Sequence, residues 1–138
     1  VDGATGELTW VTGSRTTNVT TTANTWANAV SCSLTSGSWN INAQITFNRP
    51  ATTAQFYNAR IWDGTRTYAV SQVYVPSVTN LSTTVPLNCI IPITGSYRIY
   101  LQGMGTTNTD YIQGVTTSSV AAANNLSYAT LLNCVKIA

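Results

Sequence analysis

Two segments of the chain alternate strictly between apolar and polar side chains, and each follows a Gly-Ser dipeptide and opens on an aromatic residue. The first runs from Trp39 to Phe47 and the second from Tyr97 to Gln102. Because successive side chains of a strand point to opposite faces, both patterns predict strands that are buried on one side only. We expect Trp39 and Tyr97, which open the two segments, to point into the core.

Less regular strand signals fill most of the remaining sequence, and no segment has a convincing helical period. Turn residues recur roughly every 8–12 positions, which is typical of a β-sandwich or barrel. The predicted fold class is therefore all-β, an antiparallel β-sandwich. Besides the two segments above, strands are predicted at 8–12, 26–34, 54–62, 66–75, 81–91, 111–120 and 126–137.

Particular residues predict how these strands begin, end and pair. The dipeptide Asp63-Gly64 favours a two-residue hairpin turn between neighbouring strands. Pro86 has no backbone N–H to donate to a neighbouring strand, so it predicts an edge strand or a bulge. The segment 103–110 is the longest predicted loop, and 121–125 is predicted to form a turn or a single helical turn.

The composition describes one domain with very little charge. The chain has 138 residues, of which 43% are hydrophobic, with six Lys plus Arg against four Asp plus Glu. We expect residues 1–7 to be a linker from an upstream stalk and residues 8–138 to form a single domain. Six scattered cations offer no patch for nucleic acid, and no apolar run approaches the roughly 20 residues of a membrane span.

The sequence offers few groups for catalysis, and we expect no enzymatic activity. Histidine is absent, which excludes Ser–His and Cys–His nucleophile pairs. A glycosidase needs two neighbouring carboxylates, and Asp63 with Asp110 is the sole candidate pair outside the predicted linker. Asp63 is explained by its turn, and Asp110 lies in a polar loop where we expect it to be solvated. A hydrolase assembled between subunits stays open as an alternative.

The three cysteines, Cys32, Cys89 and Cys134, are predicted to be buried free thiols of a protein that folds in a reducing cytosol. A disulfide between Cys32 and Cys89 is the alternative. No pair of cysteines has the spacing of zinc ligands, so we expect no metal and no cofactor.

Ligand binding fits the residue inventory better than catalysis does. Arg and Trp side chains gather around the Asp63-Gly64 turn, and tyrosines recur on strands that have one outer face. Aromatic surfaces beside amides and hydroxyls suit sugars or protein partners, although any single tyrosine is more often part of a core or a subunit interface. The candidate ligand- or receptor-binding residues are Arg60, Trp62, Arg66, Tyr100 and Asp110.

The order of these signals resembles the jelly roll of tumour-necrosis-factor-like and complement-globular-head proteins. The resemblance rests on the segments 32–41, 56–64, 85–102 and 128–135, and it spans about residues 26–137. Within this broad family, the sparse charge and the Thr- and Asn-rich strands resemble the knobs of bacteriophage tail needles and tail fibres. The chain lacks the acidic cluster that would suggest the calcium sites of some complement heads.

This resemblance implies a homotrimeric virion knob at the tail tip, folded in the host cytoplasm. Its implied role is attachment to a host-surface glycan or envelope component, or envelope penetration, with room for a small ligand at a subunit interface. A carbohydrate-binding β-sandwich module of a secreted bacterial protein is the main alternative, and a processed cytokine is another.

Overall fold

The computed structural model describes residues 9–15, 17–49, 54–77, 81–106, 110–114 and 129–138. Within these ranges the regular secondary structure consists of strands alone. In chain order the strands are β1 (Trp10–Ser14), β2 (Val19–Thr20), β3 (Ala27–Leu34), β4 (Gly37–Arg49), β5 (Gln55–Trp62), β6 (Thr67–Val75), β7 (Leu81–Ile93), β8 (Tyr97–Gly105), β9 (Tyr111–Ile112) and β10 (Leu131–Lys136).

The strands form two antiparallel sheets, which confirms the predicted sandwich. Sheet A has the order β1-β10-β4-β7, and the short strands β9 and β2 continue it beside the end of β4. Sheet B has the order β3-β8-β5-β6. The chain passes repeatedly from one sheet to the other, as a jelly roll requires. Strand β7 pairs only with β4 among the described strands, so Pro86 lies on an edge strand as predicted.

The core lies between the two sheets and follows the alternation of β4. Side chains at every second position from Trp39 to Phe47 are at most 8% exposed, as the sequence predicts. Phe47 of sheet A stacks on Tyr57 of sheet B, with ring centroids 4.3 Å apart and planes 17° from parallel. Stacking of this kind joins the two sheets through a contact between two fully buried aromatic rings.

The inward placement predicted for Tyr97 is wrong, whereas that of Trp39 is confirmed. Trp39 is 1% exposed and is flanked by β10 and β7, and its indole N–H donates to the carbonyl of Thr35 at 2.8 Å. Tyr97 is 44% exposed. It is the first residue of β8 and pairs only with Leu34, the last residue of β3. A strand neighbour on one side alone leaves the ring at the margin of the sandwich.

Both Gly-Ser turns form as predicted, because their glycines adopt backbone angles that other residues rarely reach. The φ angle is 140° at Gly37 and 89° at Gly95. Such positive values cost little only when no Cβ is present. The two turns therefore determine where β4 and β8 begin.

Other predicted boundaries need correction. The connection after β5 spans residues 63–66 rather than two residues, since β6 begins at Thr67. Strand β8 continues to Gly105, so the predicted loop 103–110 begins later. A Cβ on Gly103 would lie 2.6 Å from Ile45 Cδ1 and 2.8 Å from Phe47 Cζ, which means that this glycine makes room for the core. Strand β9 ends at Ile112, and the segment 121–125 lies outside the described residues.

The cysteines are free thiols, as predicted, but their arrangement differs from the alternative pairing. Cys32 and Cys134 are buried and Cys89 is half-buried. The neighbour of Cys32 is Cys134, which lies in hydrogen-bond contact across the core. That contact, with burial, raises the pKa of Cys134 well above its usual range, and burial raises the pKa of Cys89 to about 11. Cys89 and Cys134 therefore favour the neutral thiol, whereas the contact with Cys134 lowers the pKa of Cys32.

Candidate functional site on the outer face of sheet B

Three of the five candidate binding residues meet on the outer face of sheet B. Arg60 and Trp62 alternate with the buried residues of β5, and Tyr100 does the same on β8. The register places Arg60 opposite Gln102, and Trp62 opposite Tyr100. In antiparallel pairs, residues opposite each other share one face, so these side chains gather at one place.

Arg60 is held between two indole rings. Its guanidinium carbon lies 4.4 Å from the ring centroid of Trp26 and 4.8 Å from that of Trp62. The Trp62 ring in turn lies 5.7 Å from the Tyr100 ring, tilted by 51°. We call Trp26, Arg60, Trp62 and Tyr100 the aromatic–arginine cluster. Partial burial lowers the pKa of Arg60, but a guanidinium stays charged, so the cluster is a cation–π stack.

A chain of amides fixes the edge of this cluster. Arg60 Nε donates to Gln102 Oε1 at 2.6 Å, and Gln102 Nε2 donates to Asn28 Oδ1 at 2.6 Å. The three residues lie in one row across β5, β8 and β3. Gln102 is only 5% exposed, whereas Asn28 is exposed. The row therefore orients the guanidinium and presents an amide to solvent.

Sequence reasoning missed Trp26, Asn28 and Gln102 as members of this site. Trp26 directly precedes β3 and was predicted only as the start of a strand. Its ring reaches Arg60 because β8 alone separates β3 from β5 in the sheet. This strand order brings together Trp26 and Arg60, which are 34 positions apart in the sequence, and no local sequence pattern predicts it.

Arg66 lies outside the aromatic–arginine cluster, on the connection between β5 and β6. Its guanidinium carbon is 5.2 Å from the ring centroid of Tyr68. Asp63 organises the same connection: its Oδ1 accepts from the backbone N–H of Thr65 at 2.8 Å and of Arg66 at 2.6 Å, and its Oδ2 accepts from the Tyr68 hydroxyl at 2.7 Å. Partial burial raises the pKa of Asp63, but these hydrogen bonds outweigh burial and lower it. The turn role predicted for Asp63 is confirmed.

The Asp63–Tyr68 contact predicts a loss of stability at alkaline pH. Burial, followed by the Asp63 carboxylate, raises the pKa of Tyr68 to about 12, against about 10 for a free phenol. Between these values the unfolded chain loses this proton and the folded chain keeps it, so stability falls as pH rises from about 10 to 12. In Asp63→Asn, which retains the turn acceptor, we expect the Tyr68 pKa and this pH dependence both to decrease. Ultraviolet titration and denaturant unfolding at pH 9 and pH 11 measure the two effects, and an unchanged titration would contradict the assignment.

Asp110 lies elsewhere, and the expectation that it is solvated is wrong. Its side chain is 0% exposed and accepts a hydrogen bond from Gln55 Nε2. Its backbone carbonyl accepts from the N–H of Thr21 at 3.0 Å. Gln55 begins β5, whereas Asp63 follows its last residue, and eight residues of strand extend about 25 Å. Asp63 and Asp110 therefore do not form a glycosidase pair within one chain.

The side chains on this outer face of sheet B are suited to binding a ligand. Half-exposed indole and phenol rings can stack on the apolar face of a sugar, and the neighbouring amide and guanidinium donors can bond its hydroxyls. Nowhere in the described part of the chain do three or more His, Cys, Asp or Glu side chains group as metal ligands. Within the described ranges, no helix has the length and apolarity that a bilayer-spanning segment requires.

Comparison with known proteins identifies the fold. No family model and no curated protein matches the sequence. The Eiger TNF from S. frugiperda matches with a TM-score of 0.64 and 7% identity, over 95% of this chain and 93% of that one. Murine APRIL matches with a TM-score of 0.60 and 10% identity, over 95% of this chain and all of that one (100%).

A viral protein shares the architecture as well. A chain of the T13 IBDV viral particle matches with a TM-score of 0.57 and 13% identity, over 94% of this chain. The match spans 31% of the viral chain, so this chain corresponds to about one third of it. With two antiparallel sheets in jelly-roll order and these structural neighbours, the chain has the tumour-necrosis-factor-like jelly-roll fold.

Proposed function

We propose that this chain is the non-enzymatic, homotrimeric knob of a bacteriophage tail needle or tail fibre, located at the virion tail tip, and that it attaches to a host-surface glycan. The observation that carries the proposal is the aromatic–arginine cluster, in which two indole rings and the Gln102 amide orient the Arg60 guanidinium. A role in envelope penetration is compatible with the same placement at the tip. The virus particle among the proteins of similar fold supports the viral context.

The two outer faces of the sandwich differ in charge, and this difference supports the trimer. On sheet A, the described outward side chains of β1, β10, β4 and β7 are all uncharged, and amides and hydroxyls dominate the middle of the face. Trp10 is 62% exposed and Ile90 is 64% exposed there. Sheet B instead presents Arg60 and Arg98. A face without charge and with exposed apolar residues suits burial between identical subunits, which leaves sheet B on the outside of the assembly.

The cluster suits a sugar better than an extended peptide. A sugar ring has an apolar face that stacks on indole, and equatorial hydroxyls that bond amides at its rim. Trp62 offers the ring surface, and the exposed Asn28 supplies an amide, which Gln102 holds in place. Strand-type peptide binding would need a free sheet edge, whereas these residues lie on the face of the sheet.

Glycan binding by matched variants tests the proposal. We expect the trimeric protein to bind glycans of the host surface on an array, and Trp62→Ala to weaken binding by about 30-fold, the effect of losing a central aromatic contact of about 2 kcal/mol. Tyr74→Ala is the control, because Tyr74 is an aromatic residue that is 56% exposed on the same sheet, and its strand partner is Phe56 rather than a residue of the cluster. Absence of glycan binding by a folded trimer, or equal binding by Trp62→Ala, would contradict the proposal.

A carbohydrate-binding module of a secreted bacterial protein is the second candidate. It is favoured by one observation: all four residues of the aromatic–arginine cluster come from a single chain, so the surface needs no partner subunit. Analytical ultracentrifugation at micromolar concentration separates the two candidates. A glycan-binding monomer would support the module, and a stable trimer would support the knob.

A further inference from the structure

A cleft of about 380 Å³ opens beside the aromatic–arginine cluster. It lies where the end of β1 approaches the outer surfaces of β3 and β8. The polar groups that line it are Ser14, Arg15, Asn28, Ser31, Arg98 and Tyr100. Its size falls in the range of small-molecule sites, about 300–1,000 Å³, in which a few polar groups converge. Tyr100 belongs to the cluster, and Asn28 is joined to Arg60 through Gln102, so the two surfaces are continuous.

The cleft is positively charged, and its charge is not neutralised by the described carboxylates. Arg15 is oriented by the backbone, since its Nε donates to the carbonyl of Thr17 at 3.1 Å and its Nη1 to that of Ala29 at 3.3 Å. Arg98, on β8, is exposed and lines the same cleft. The described acids lie elsewhere: Asp63 is bonded within its turn and Asp110 is buried near the start of β5. Two guanidinium groups thus line one concavity without an acidic partner from the described chain.

We propose that this cleft binds the anionic group of an acidic saccharide, with Arg15 and Arg98 as the residues that contact it. Guanidinium groups match carboxylates, sulfates and phosphates through paired N–H donors, and concave sites strengthen such contacts by limiting solvent. Tyr100 lies between the cleft and Trp62, so an adjoining sugar ring would stack on the cluster while its acidic neighbour fills the cleft. This inference rests on the proposed glycan-binding function and adds the charge class of the ligand.

Matched pairs of glycans that differ only in charge test the inference. The probes are oligogalacturonate against its methyl ester, sialyllactose against lactose, and a sulfated against an unsulfated oligosaccharide, each titrated at low and at moderate salt. We expect at least one acidic member to bind at least about 10-fold more tightly than its neutral partner, the difference that one charge-assisted contact produces. The preference should shrink as salt rises.

Variants then locate the effect. Arg98→Gln should abolish most of the acidic preference, and the double variant Arg15→Gln/Arg98→Gln should abolish all of it. Because Arg15 also bonds backbone carbonyls, the single Arg98 variant keeps the test valid if the double variant unfolds: the exposed Arg98 side chain has no hydrogen bond with the described residues. Lys136→Gln is the control, since it removes the same charge from β10 in the other sheet.

The outcomes separate this inference from the proposed function. Equal binding of acidic and neutral partners, or an acidic preference that survives in Arg98→Gln and in the folded double variant, would overturn the inference and leave the glycan-binding proposal standing. Binding to acidic glycans that depends on Arg98 but not on Trp62 would support the cleft and contradict the role of the cluster. Binding to neither member of any pair would overturn both.

Discussion

Replacement of Trp39 by alanine is expected to lower the free energy of unfolding by about 3–5 kcal/mol, the usual cost of removing a large aromatic side chain from a core. Trp39 is 1% exposed, lies between β10 and β7 in sheet A, and donates its indole N–H to the carbonyl of Thr35. The variant would leave a cavity at the start of β4 and a carbonyl without its donor. Denaturant unfolding followed by fluorescence or circular dichroism measures the change.

Tyr97→Ala is the matched control for this variant. Tyr97 also follows a Gly-Ser turn and also opens an alternating strand, but it is 44% exposed and has a strand neighbour on one side only. We expect its replacement to cost less than about 1 kcal/mol, as substitutions near the surface usually do. Similar losses for the two variants would contradict the described difference in burial.

An arginine at position 90 is expected to dissociate the proposed trimer. Ile90 is 64% exposed and lies in the same cross-strand row of sheet A as Trp10, Asn40 and Val135, on a face without described charges. If this face is buried between subunits, Ile90→Arg places an unpaired charge there, which costs about 3–5 kcal/mol or more than 100-fold in association. Sedimentation velocity at micromolar concentration should show monomers with unchanged β-sheet circular dichroism.

Val70→Arg is the control for this second variant. Val70 has the same exposure, 64%, and lies on an edge strand like Ile90, but it belongs to the outer face of sheet B. The same charge there should leave the trimer intact. Trimers that survive Ile90→Arg, or that dissociate with either variant, would show that sheet A is not the self-association surface.

Local pattern predicted much of the fold and part of the candidate site. Alternation from Trp39 to Phe47 correctly predicted which side chains of β4 are buried, because the period of two depends only on the backbone of one strand. The clustering of Arg60 and Trp62 was also predictable, since they are near neighbours on one face of β5. The order of strand and turn signals along the chain resembles that of a jelly roll, and the structural neighbours confirm this fold.

The misplaced residues share one physical cause. Whether Tyr97 is buried depends on which strands flank it and not on its own period, and it stands at the margin of sheet B. Gly103 suggested a loop, but its missing side chain makes room for Ile45 and Phe47 from the other sheet. Asp110 lies in a polar segment that suggested a solvated loop, but hydrogen bonds from Gln55 and Thr21 hold it in a buried position. In each case the deciding contact comes from a distant part of the chain.

The sequence by itself determined that this chain forms strands, where the Gly-Ser turns start two of them, and which face of β4 is buried. These properties depend on backbone geometry and on side chains a few positions apart. Only the tertiary structure placed Trp26 against Arg60, brought Arg15 and Arg98 to one cleft, and left the described outward side chains of sheet A without charge. Such juxtapositions follow from the lateral order of strands in the sheets, which is set by long-range pairing and leaves no local pattern in the sequence.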